Sequence, residues 1–310
     1  PALRHPRRAA EELVEGLAGH AQAVVVVEVL HVQLEGAVRG EVHDGHDFVA
    51  DAAARGAAAA WVSTEWARSR PEIDLPLIVA DAPVAGLQRL RQSSGVLTPT
   101  QITLLETNQG VIMLQEAVQT VERTTHQWQQ IGESLACIHL VHGQRFGLET
   151  QGYFGPLYQD NRPLDDWATF YAERRLWPRL MSAIDAGHVP SALIRQLETL
   201  IARLPDLCGP PIAPTLLHGD AQQNNYISSA QGAVVIDPAV YYGHPEMDLA
   251  YLDYFQPVPD AVFEGYQTIL PIDPGFWQRR DLWRIYGYLA IVTLDVSYLD
   301  RLSACVRNNL

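Results

Sequence analysis

The segment Leu216–Asp248 constrains the chain most, because it places oxygen-bearing side chains at fixed spacings around a turn and a strand. The tripeptide His218–Asp220 is followed five residues later by Asn225, and a short apolar run then ends in Asp237. Phosphoryl transfer needs such a set: one carboxylate orients the acceptor hydroxyl, while an amide and a second carboxylate hold Mg²⁺ against the nucleotide phosphates. The glycine of the tripeptide allows the tight turn that this requires.

The overall composition narrows the classes of function. A formal charge of −14 argues against a nucleic-acid partner, because phosphates are bound by basic patches. The 3 cysteines are far apart and form no C-x-x-C pair, which argues against a disulfide scaffold and a cysteine zinc site. No apolar run approaches the ~18 residues of a membrane span. We therefore expect a cytoplasmic protein without a nucleic-acid or membrane partner.

The first part of the chain has the pattern of a small α/β segment. A β-branched run at Ala21–Leu30 predicts a strand, and Phe48–Arg55 predicts a helix. Two further apolar runs, Ala57–Ser63 and Leu75–Ala80, predict buried strands. Because strand, helix and strand follow one another, we expect βαβ packing here.

The pattern then changes through a predicted linker, Arg91–Thr100, which is rich in Ser, Gly, Thr and Pro. Two short strands, Gln101–Glu106 and Val111–Gln115, flank a turn and predict a hairpin. Helices dominate the rest of the chain. The remaining predicted elements are a helix through Trp128–Ile138, a helix capped by Ser191, a strand at Ala233–Ile236 and one or two helices within Phe276–Leu299.

Residues 86–310, roughly, resemble the fructosamine kinase (ketoamine kinase) family, within the aminoglycoside-phosphotransferase-like and protein-kinase-like fold. The most specific segment is Ile236–Ala250, which reads IDPAVYYGHPEMDLA. The resemblance implies an α+β fold with a mostly helical C-lobe, and transfer of the ATP γ-phosphate to a sugar hydroxyl of a glycated amine. The other segments that carry it are RFGLETQGYFG (Arg145–Gly155), LDDWATFYAERRL (Leu164–Leu176), LLHGD (Leu216–Asp220) and PIDPGFWQRRDLWRIYGYL (Pro271–Leu289).

The resemblance also implies roles for individual residues. Asp220 resembles the catalytic base of the family, and Asn225 and Asp237 resemble the Mg²⁺ ligands. His218 resembles a residue that braces the catalytic loop, and Asp248 resembles a structural aspartate that follows the metal aspartate. The implied cofactors are ATP and Mg²⁺, and the implied substrate is a ribulosamine or a fructosamine.

The substrate side departs from the family pattern. The family motif reads H-G-D-L-W-x-G-N, and Gln222 stands where it has the tryptophan that helps to shape the sugar pocket. Gln222 is therefore a candidate substrate contact. Asp166 and Trp167 match another family block; we interpret them mainly as a helix N-terminus, with substrate contact as the alternative.

The nucleotide lobe departs further. A complete kinase lobe needs a glycine-rich loop and a strand lysine, but the chain has no G-x-G and all 22 of its basic residues are arginine. We therefore expect an incomplete N-lobe, a remnant over residues 91–120 that ends in a hinge. The hinge candidates, which would contact adenine through their backbone, are Gln115, Glu116 and Ala117.

Upstream, Arg39–Ser63 and Asp74–Leu90 resemble the N-terminal domain of Mur ligases, which helps to bind a UDP-sugar. The ATP domain of those ligases, with its G-K-T loop, has no counterpart in this sequence, so we expect no ligase activity. The cluster H-D-G-H-D (His43–Asp47) matches the ligase pattern and predicts a turn before a helix, in preference to a metal site. A gene fusion, a recombination event or a misassembled reading frame would each produce such a join.

These observations predict three parts: residues 1–90, 91–120 and 121–310, the last being the helical lobe with the catalytic and metal loops. The leading hypothesis is an active ketoamine kinase. The alternatives are a catalytically impaired, truncated or fused remnant that only binds nucleotide or sugar, and a phosphotransferase for an aminoglycoside-like or choline-like alcohol. The segment Ile236–Ala250 argues against that last alternative. UDP-sugar binding by residues 1–90 is a further hypothesis.

Overall fold

The computed structural model describes residues 34–36, 59–62, 77–79, 81–100, 102–107, 110–115, 118–155 and 157–310. In the first part, strands β1 (Leu34–Gly36), β2 (Ala59–Val62) and β3 (Leu77–Val79) form a parallel sheet in the order β1-β2-β3. Strands β2 and β3 lie within predicted strands. Parallel neighbours need crossover connections, which suits the expected βαβ packing.

Several predictions for the first part fall outside the described residues. These are the strand at Ala21–Leu30, the helix at Phe48–Arg55 and the His43–Asp47 cluster. The resemblance to the Mur ligase domain therefore stays a prediction.

Helix α1 (Asp81–Ser94) runs through the predicted boundary at residue 90. The predicted linker Arg91–Thr100 thus begins as the last turn of a helix, whose Leu87 and Leu90 are buried. It continues as a bridge to the helical part, because the carbonyl of Leu97 accepts a hydrogen bond from the Val235 N–H at 2.8 Å. The linker interpretation was wrong, since burial and backbone pairing outweigh the turn-forming composition.

The predicted hairpin is confirmed. Strands β4 (Ile102–Thr107) and β5 (Gly110–Gln115) pair in antiparallel register, with Thr107 opposite Gly110 at the turn.

The rest of the described chain is mainly helical. Helix α2 (Thr125–His139) approaches helix α8 (Ala261–Gln267) so closely that a Cβ on Gly132 would lie 1.9 Å from the Val262 carbonyl oxygen. Glycine is needed at that crossing because no side chain fits. The other elements between these two are β6 (Gly152–Phe154), β7 (Leu157–Gln159), α3 (Trp167–Phe170), a π-helical segment (Tyr171–Leu176), α4 (Trp177–Asp185), α5 (Ser191–Ala202), α6 (Leu204–Leu207), β8 (Thr215–Leu217), a 3₁₀ turn (Gln223–Asn225), β9 (Tyr226–Ser229), β10 (Gly232–Val235), β11 (Tyr241–Gly243) and α7 (Glu246–Tyr251).

The C-terminal residues form helix α9 (Phe276–Leu294), a 3₁₀ turn (Val296–Tyr298) and helix α10 (Leu299–Arg307). The chain bends at Asp295, whose extended backbone ends α9 and whose carboxylate accepts a hydrogen bond from the Ser297 N–H at 2.9 Å. Within the described ranges, no helix is long and apolar enough to cross a membrane.

One predicted cap was wrong. Ser191 is the first residue of α5, and Pro190 occupies the N-cap position with no side-chain hydrogen bond. Proline supplies the extended backbone conformation that precedes a helix, so the helix begins there without a hydroxyl cap.

Candidate active site

Two pairs of short strands carry the residues predicted to act in phosphoryl transfer. Strand β8 pairs with β11, and β9 pairs with β10, both in antiparallel register. Asp220 follows β8, Asn225 ends the 3₁₀ turn that leads into β9, and Asp237 follows β10. These strand pairs thus place all three residues in loops at strand ends.

Gly219 makes the turn beside Asp220. Its φ is +84°, and a Cβ there would lie 2.0 Å from the carbonyl oxygen of Ala239. The same two segments are joined by a hydrogen bond of 2.8 Å from the Ala239 N–H to the carbonyl of His218. A side chain at this position would therefore meet both backbone strain and a steric clash.

Asp248, on helix α7, holds the backbone of the same turn. Its carboxylate is fully buried and accepts hydrogen bonds from the N–H groups of His218 at 2.7 Å and Gly219 at 2.9 Å. It also lies 3.2 Å from Nε2 of His139, whose Nδ1 lies 2.9 Å from the hydroxyl of Tyr266. Because the backbone donors point at one fixed carboxylate, the loop has one favoured orientation.

The ring of His218 connects the two loops. Its Nε2 lies 3.0 Å from the carbonyl of Ile236, and its Nδ1 accepts a hydrogen bond from the Asp220 N–H at 3.2 Å. Burial lowers the pKa of His218, so the ring is neutral and carries its proton on Nε2. The buried ring of His218 thus links the loop that carries Asp220 to the loop that carries Asp237.

Asp220 and Asn225 are in direct contact. The Asn225 Nδ2 donates to the backbone carbonyl of Asp220 at 2.8 Å and to its carboxylate Oδ2 at 3.0 Å. Burial and the negative charge of Asp237 raise the pKa of Asp220 to about 7, although hydrogen bonds from Asn225 and Gln222 oppose that rise. Two neighbouring carboxylates, one of which has a raised pKa, are typical of a functional site.

Asp237 adopts a backbone conformation that non-glycine residues rarely use. Its φ is +49°, whereas its side chain is exposed. The residue before it, Ile236, donates its N–H to the carbonyl of Asn225 at 3.0 Å, which joins the two loops. Such conformations persist where the surrounding structure imposes them, often at functional sites.

These three residues fit a magnesium ion by their chemistry. Asp237 offers carboxylate oxygens as a ligand, and the Nδ2 of Asn225 points to the carboxylate of Asp220, so the amide oxygen of Asn225 remains available as a neutral ligand. Mg²⁺ prefers such hard oxygen donors. A divalent cation would also offset the repulsion between the two carboxylates.

Asp166 and Trp167, two of the other predicted substrate contacts, lie at the start of helix α3. Asp166 caps helix α3, where its exposed carboxylate accepts hydrogen bonds from Thr169 N and Oγ1 at 2.8 and 2.7 Å. Trp167 is 6% exposed and stacks on Phe170 and Tyr171, with ring centroids 5.7 and 5.5 Å away. The interpretation as a helix N-terminus is therefore confirmed for Asp166, and Trp167 belongs to the core.

The hinge candidates are only partly described. Gln115 is the last residue of β5, whereas Glu116 and Ala117 lie outside the described residues.

Sequence reasoning missed the side chains that hold these loops from a distance. His139 reaches Asp248 across 109 positions, and Arg123 reaches the carbonyl of Gln223 across 100 positions. No local pattern links residues so far apart. The only signal in the sequence is that Arg123 lies just before helix α2 and that His139 is its last residue, since this helix was itself predicted.

The comparisons with known proteins agree on one family. The chain matches the sequence model of the fructosamine kinase family over residues 77–310, a match that starts upstream of the predicted residue 86. It is 35% identical over 166 residues to a probable ketoamine kinase of Synechocystis, covering 52% of this chain and 55% of that protein. It is 31% identical over 212 residues to a probable ketoamine kinase of Enterococcus faecium, covering 68% and 75%. The chain thus spans about half the length of the Synechocystis relative.

A structural comparison gives the fold. The chain is similar to the crystal structure of a protein named as a fructosamine-3-kinase from Thermobifida fusca, with a TM-score of 0.67 and 32% identity over 76% of this chain and 82% of that one. This similarity confirms the predicted kinase-like fold with its mostly helical C-lobe.

Proposed function

Since the chain belongs to the fructosamine kinase family, we propose that it is an ATP-dependent phosphotransferase. The proposed acceptor is a sugar hydroxyl of a glycated amine, a ribulosamine or a fructosamine. One observation carries the proposal: Asn225 Nδ2 lies 3.0 Å from the Asp220 carboxylate, whose pKa is raised by burial and by Asp237. A base, a neutral amide and a second carboxylate are the groups that phosphoryl transfer uses.

In the proposed mechanism, Asp220 orients the acceptor hydroxyl and takes its proton. A base whose pKa lies near neutral pH is well matched to this task, and burial raises the pKa of Asp220 to about 7. Asn225 holds the carboxylate in place through its Nδ2, and the Asp248 carboxylate holds the turn that carries it. Mg²⁺ held by Asn225 and Asp237 would neutralise charge on the nucleotide phosphates.

The substrate and nucleotide contacts belong to the same proposal. The Gln222 side chain acts to lower the pKa of Asp220 and so lies near the proposed base, and we propose it as an acceptor contact. Asp166 is a weaker candidate because its carboxylate already caps a helix. The backbone of Gln115, Glu116 and Ala117 is the proposed site for adenine. We also propose that residues 91–120 serve as the remaining part of the nucleotide lobe.

A second candidate function is supported by the sequence. The chain has no lysine and no G-x-G, so the groups that a kinase N-lobe uses to hold phosphates are not among these residues. An arginine is not equivalent, because its planar guanidinium differs from a compact ammonium. A protein that binds nucleotide or sugar without transferring phosphate is the alternative.

Phosphate transfer from Mg²⁺-ATP to a panel of ribulosamines and fructosamines tests the proposal, with Asp220→Asn as the control. We expect transfer by the wild type and a loss of about 10²–10⁴-fold in the variant, the usual contribution of a general base. The amide of asparagine has nearly the same size as the carboxylate that it replaces, but it does not accept the proton. The variant therefore tests the role of Asp220 as proton acceptor. Absence of transfer by a folded wild type that binds nucleotide would favour the second candidate.

A further inference from the structure

Arg123 connects the chain before helix α2 to the turn that carries Asn225. Its Nη2 donates to the carbonyl of Gln223 at 3.0 Å and also to the carbonyl of Tyr226, and its Nε donates to Ser228 Oγ at 3.2 Å. A single guanidinium therefore donates hydrogen bonds to the backbone on both sides of Asn225.

The two carbonyls belong to different elements. Gln223 begins the 3₁₀ turn that ends at Asn225, and Tyr226 begins strand β9 directly after it. A planar guanidinium can meet several acceptors at once because its donors are fixed in a fork. Arg123 thus fixes the direction in which the chain leaves the turn.

Arg123 is itself held in place. Its guanidinium lies over the ring of Trp128 on helix α2, 4.9 Å from the ring centroid. Two residues upstream, the Val121 N–H donates to the carbonyl of Ser228 at 2.9 Å, so this segment runs beside strand β9. The anchor for the Asn225 turn is therefore tied to a helix and a strand.

The opposite side of Asn225 is fixed by its own loop. Its N–H donates to the carbonyl of Gln222 at 2.9 Å, and its carbonyl accepts from the Ile236 N–H at 3.0 Å. Arg123, from outside this loop, bonds to backbone carbonyls on both sides of Asn225.

We propose that Arg123 is a positioning residue for Asn225, which it holds in the orientation needed to bind a divalent cation. This inference rests on the proposed function for the assignment of Asn225 as a metal ligand. In this proposal Arg123 acts through the Asn225 turn and not by contact with the cation or the substrate. It also ties that turn to the segment that follows the proposed adenine hinge.

The test measures Mn²⁺ binding to the full chain with a non-hydrolysable ATP analogue, by electron paramagnetic resonance of the free ion. We expect Arg123→Gln to weaken Mn²⁺ binding by about 10-fold or more, because groups that orient a metal ligand usually contribute about 10–100-fold to affinity. Arg123→Lys keeps the charge and loses the fork, so we expect an intermediate loss. An unchanged affinity in folded Arg123→Gln would overturn the inference.

A double-mutant cycle separates positioning from general support of the fold. If Arg123 acts through Asn225, then Arg123→Gln in an Asn225→Ala background changes Mn²⁺ affinity by less than about 2-fold. Equal losses in both backgrounds would show that Arg123 acts by another route. Ser228→Ala is the matched control, since it removes only the Nε contact and should leave Mn²⁺ affinity within about 2-fold.

The two proposals fail in different ways. If the wild type binds Mn²⁺ and nucleotide but transfers no phosphate, the proposed function fails, whereas a non-additive cycle still supports the role of Arg123. If the wild type transfers phosphate and the cycle is additive, only the Arg123 inference fails. A wild type that binds no Mn²⁺ overturns both.

Discussion

Asp220 and Glu246 are carboxylates of the same lobe, but they meet different partners. Glu246 is 4% exposed, and both of its oxygens accept hydrogen bonds from Arg279, from Nε at 2.9 Å and from Nη2 at 2.6 Å. Trp283 Nε1 adds a third hydrogen bond at 2.7 Å. We call Glu246, Arg279 and Trp283 the Glu246 cluster. The carboxylate of Asp220 instead accepts a hydrogen bond from the neutral amide of Asn225, and the negative charge of Asp237 acts on it.

This difference distinguishes a carboxylate that stabilises the fold from one that is available for chemistry. In the Glu246 cluster the negative charge is paired with a guanidinium, so the site is satisfied as it stands. At Asp220 the charge is unbalanced, and the protein leaves its pKa raised to about 7. A bound cation, or a proton taken from a substrate, would neutralise negative charge at Asp220. At Glu246 the guanidinium already pairs with the negative charge. Local imbalance of charge therefore marks the candidate active site.

The largest effect is expected in the Glu246 cluster. Arg279→Met removes the bidentate partner and leaves Glu246 buried with only Trp283. Removing one partner of a buried ion pair costs about 3–5 kcal/mol because the other charge stays buried without a counter-charge. We expect the free energy of unfolding, measured in urea, to decrease by that amount. A loss as small as that of a surface pair would show that the cluster is more hydrated than its burial indicates.

The next effect is of opposite sign and concerns Asp220. Because its folded pKa is about 7 and that of the unfolded chain about 4, the native state binds the extra proton between these values, and stability falls as pH rises. Asp220→Asn removes this loss. We expect the variant to exceed the wild type in free energy of unfolding by about 4 kcal/mol at pH 8, with no gain at pH 4. The measurement is made in EDTA, and a gain that is the same at both pH values would contradict the explanation.

His244 gives a smaller effect with the opposite pH dependence. Burial and the charge of Arg279 lower its pKa to about 3, so below pH 6.5 the unfolded chain binds a proton that the native state excludes. The free energy of unfolding of the wild type should therefore decrease by about 1.4 kcal/mol for each unit by which the pH is lowered, or by about 2 kcal/mol from pH 6.5 to 5. In His244→Gln that contribution should vanish, which parallel urea titrations at the two pH values would detect. Equal slopes would place the His244 ring in contact with water.

The smallest effect is expected at the rim of the same cluster. Asp273 also accepts a hydrogen bond from Arg279, at 2.6 Å, but its side chain is 45% exposed. Exposed ion pairs contribute little because water competes for both charges. Asp273→Asn should leave the urea midpoint almost unchanged, in contrast to Arg279→Met. A large shift would mean that Asp273 and Glu246 share Arg279 as one coupled unit.

Local patterns predicted most of the elements. The hairpin β4–β5, helix α2 and the strand β10 all lie close to their predicted positions, because each depends on neighbouring residues and a turn. The predictions for Arg91–Thr100 and Ser191 were wrong because tertiary pairing and proline geometry replaced the local preference. The assignment of Trp167 to substrate could not be judged from spacing, since burial depends on the whole core.

The sequence by itself determined the family and the order of the groups around Asp220, because the spacing of Asp220, Asn225 and Asp237 depends only on one turn and two short strands. Only the tertiary structure decided how those groups are held and charged. The contacts of Asp248 with His139 and of Arg123 with the Asn225 turn join positions about 100 residues apart. Burial, which raises the pKa of Asp220, likewise results from packing of the whole lobe and has no local signature.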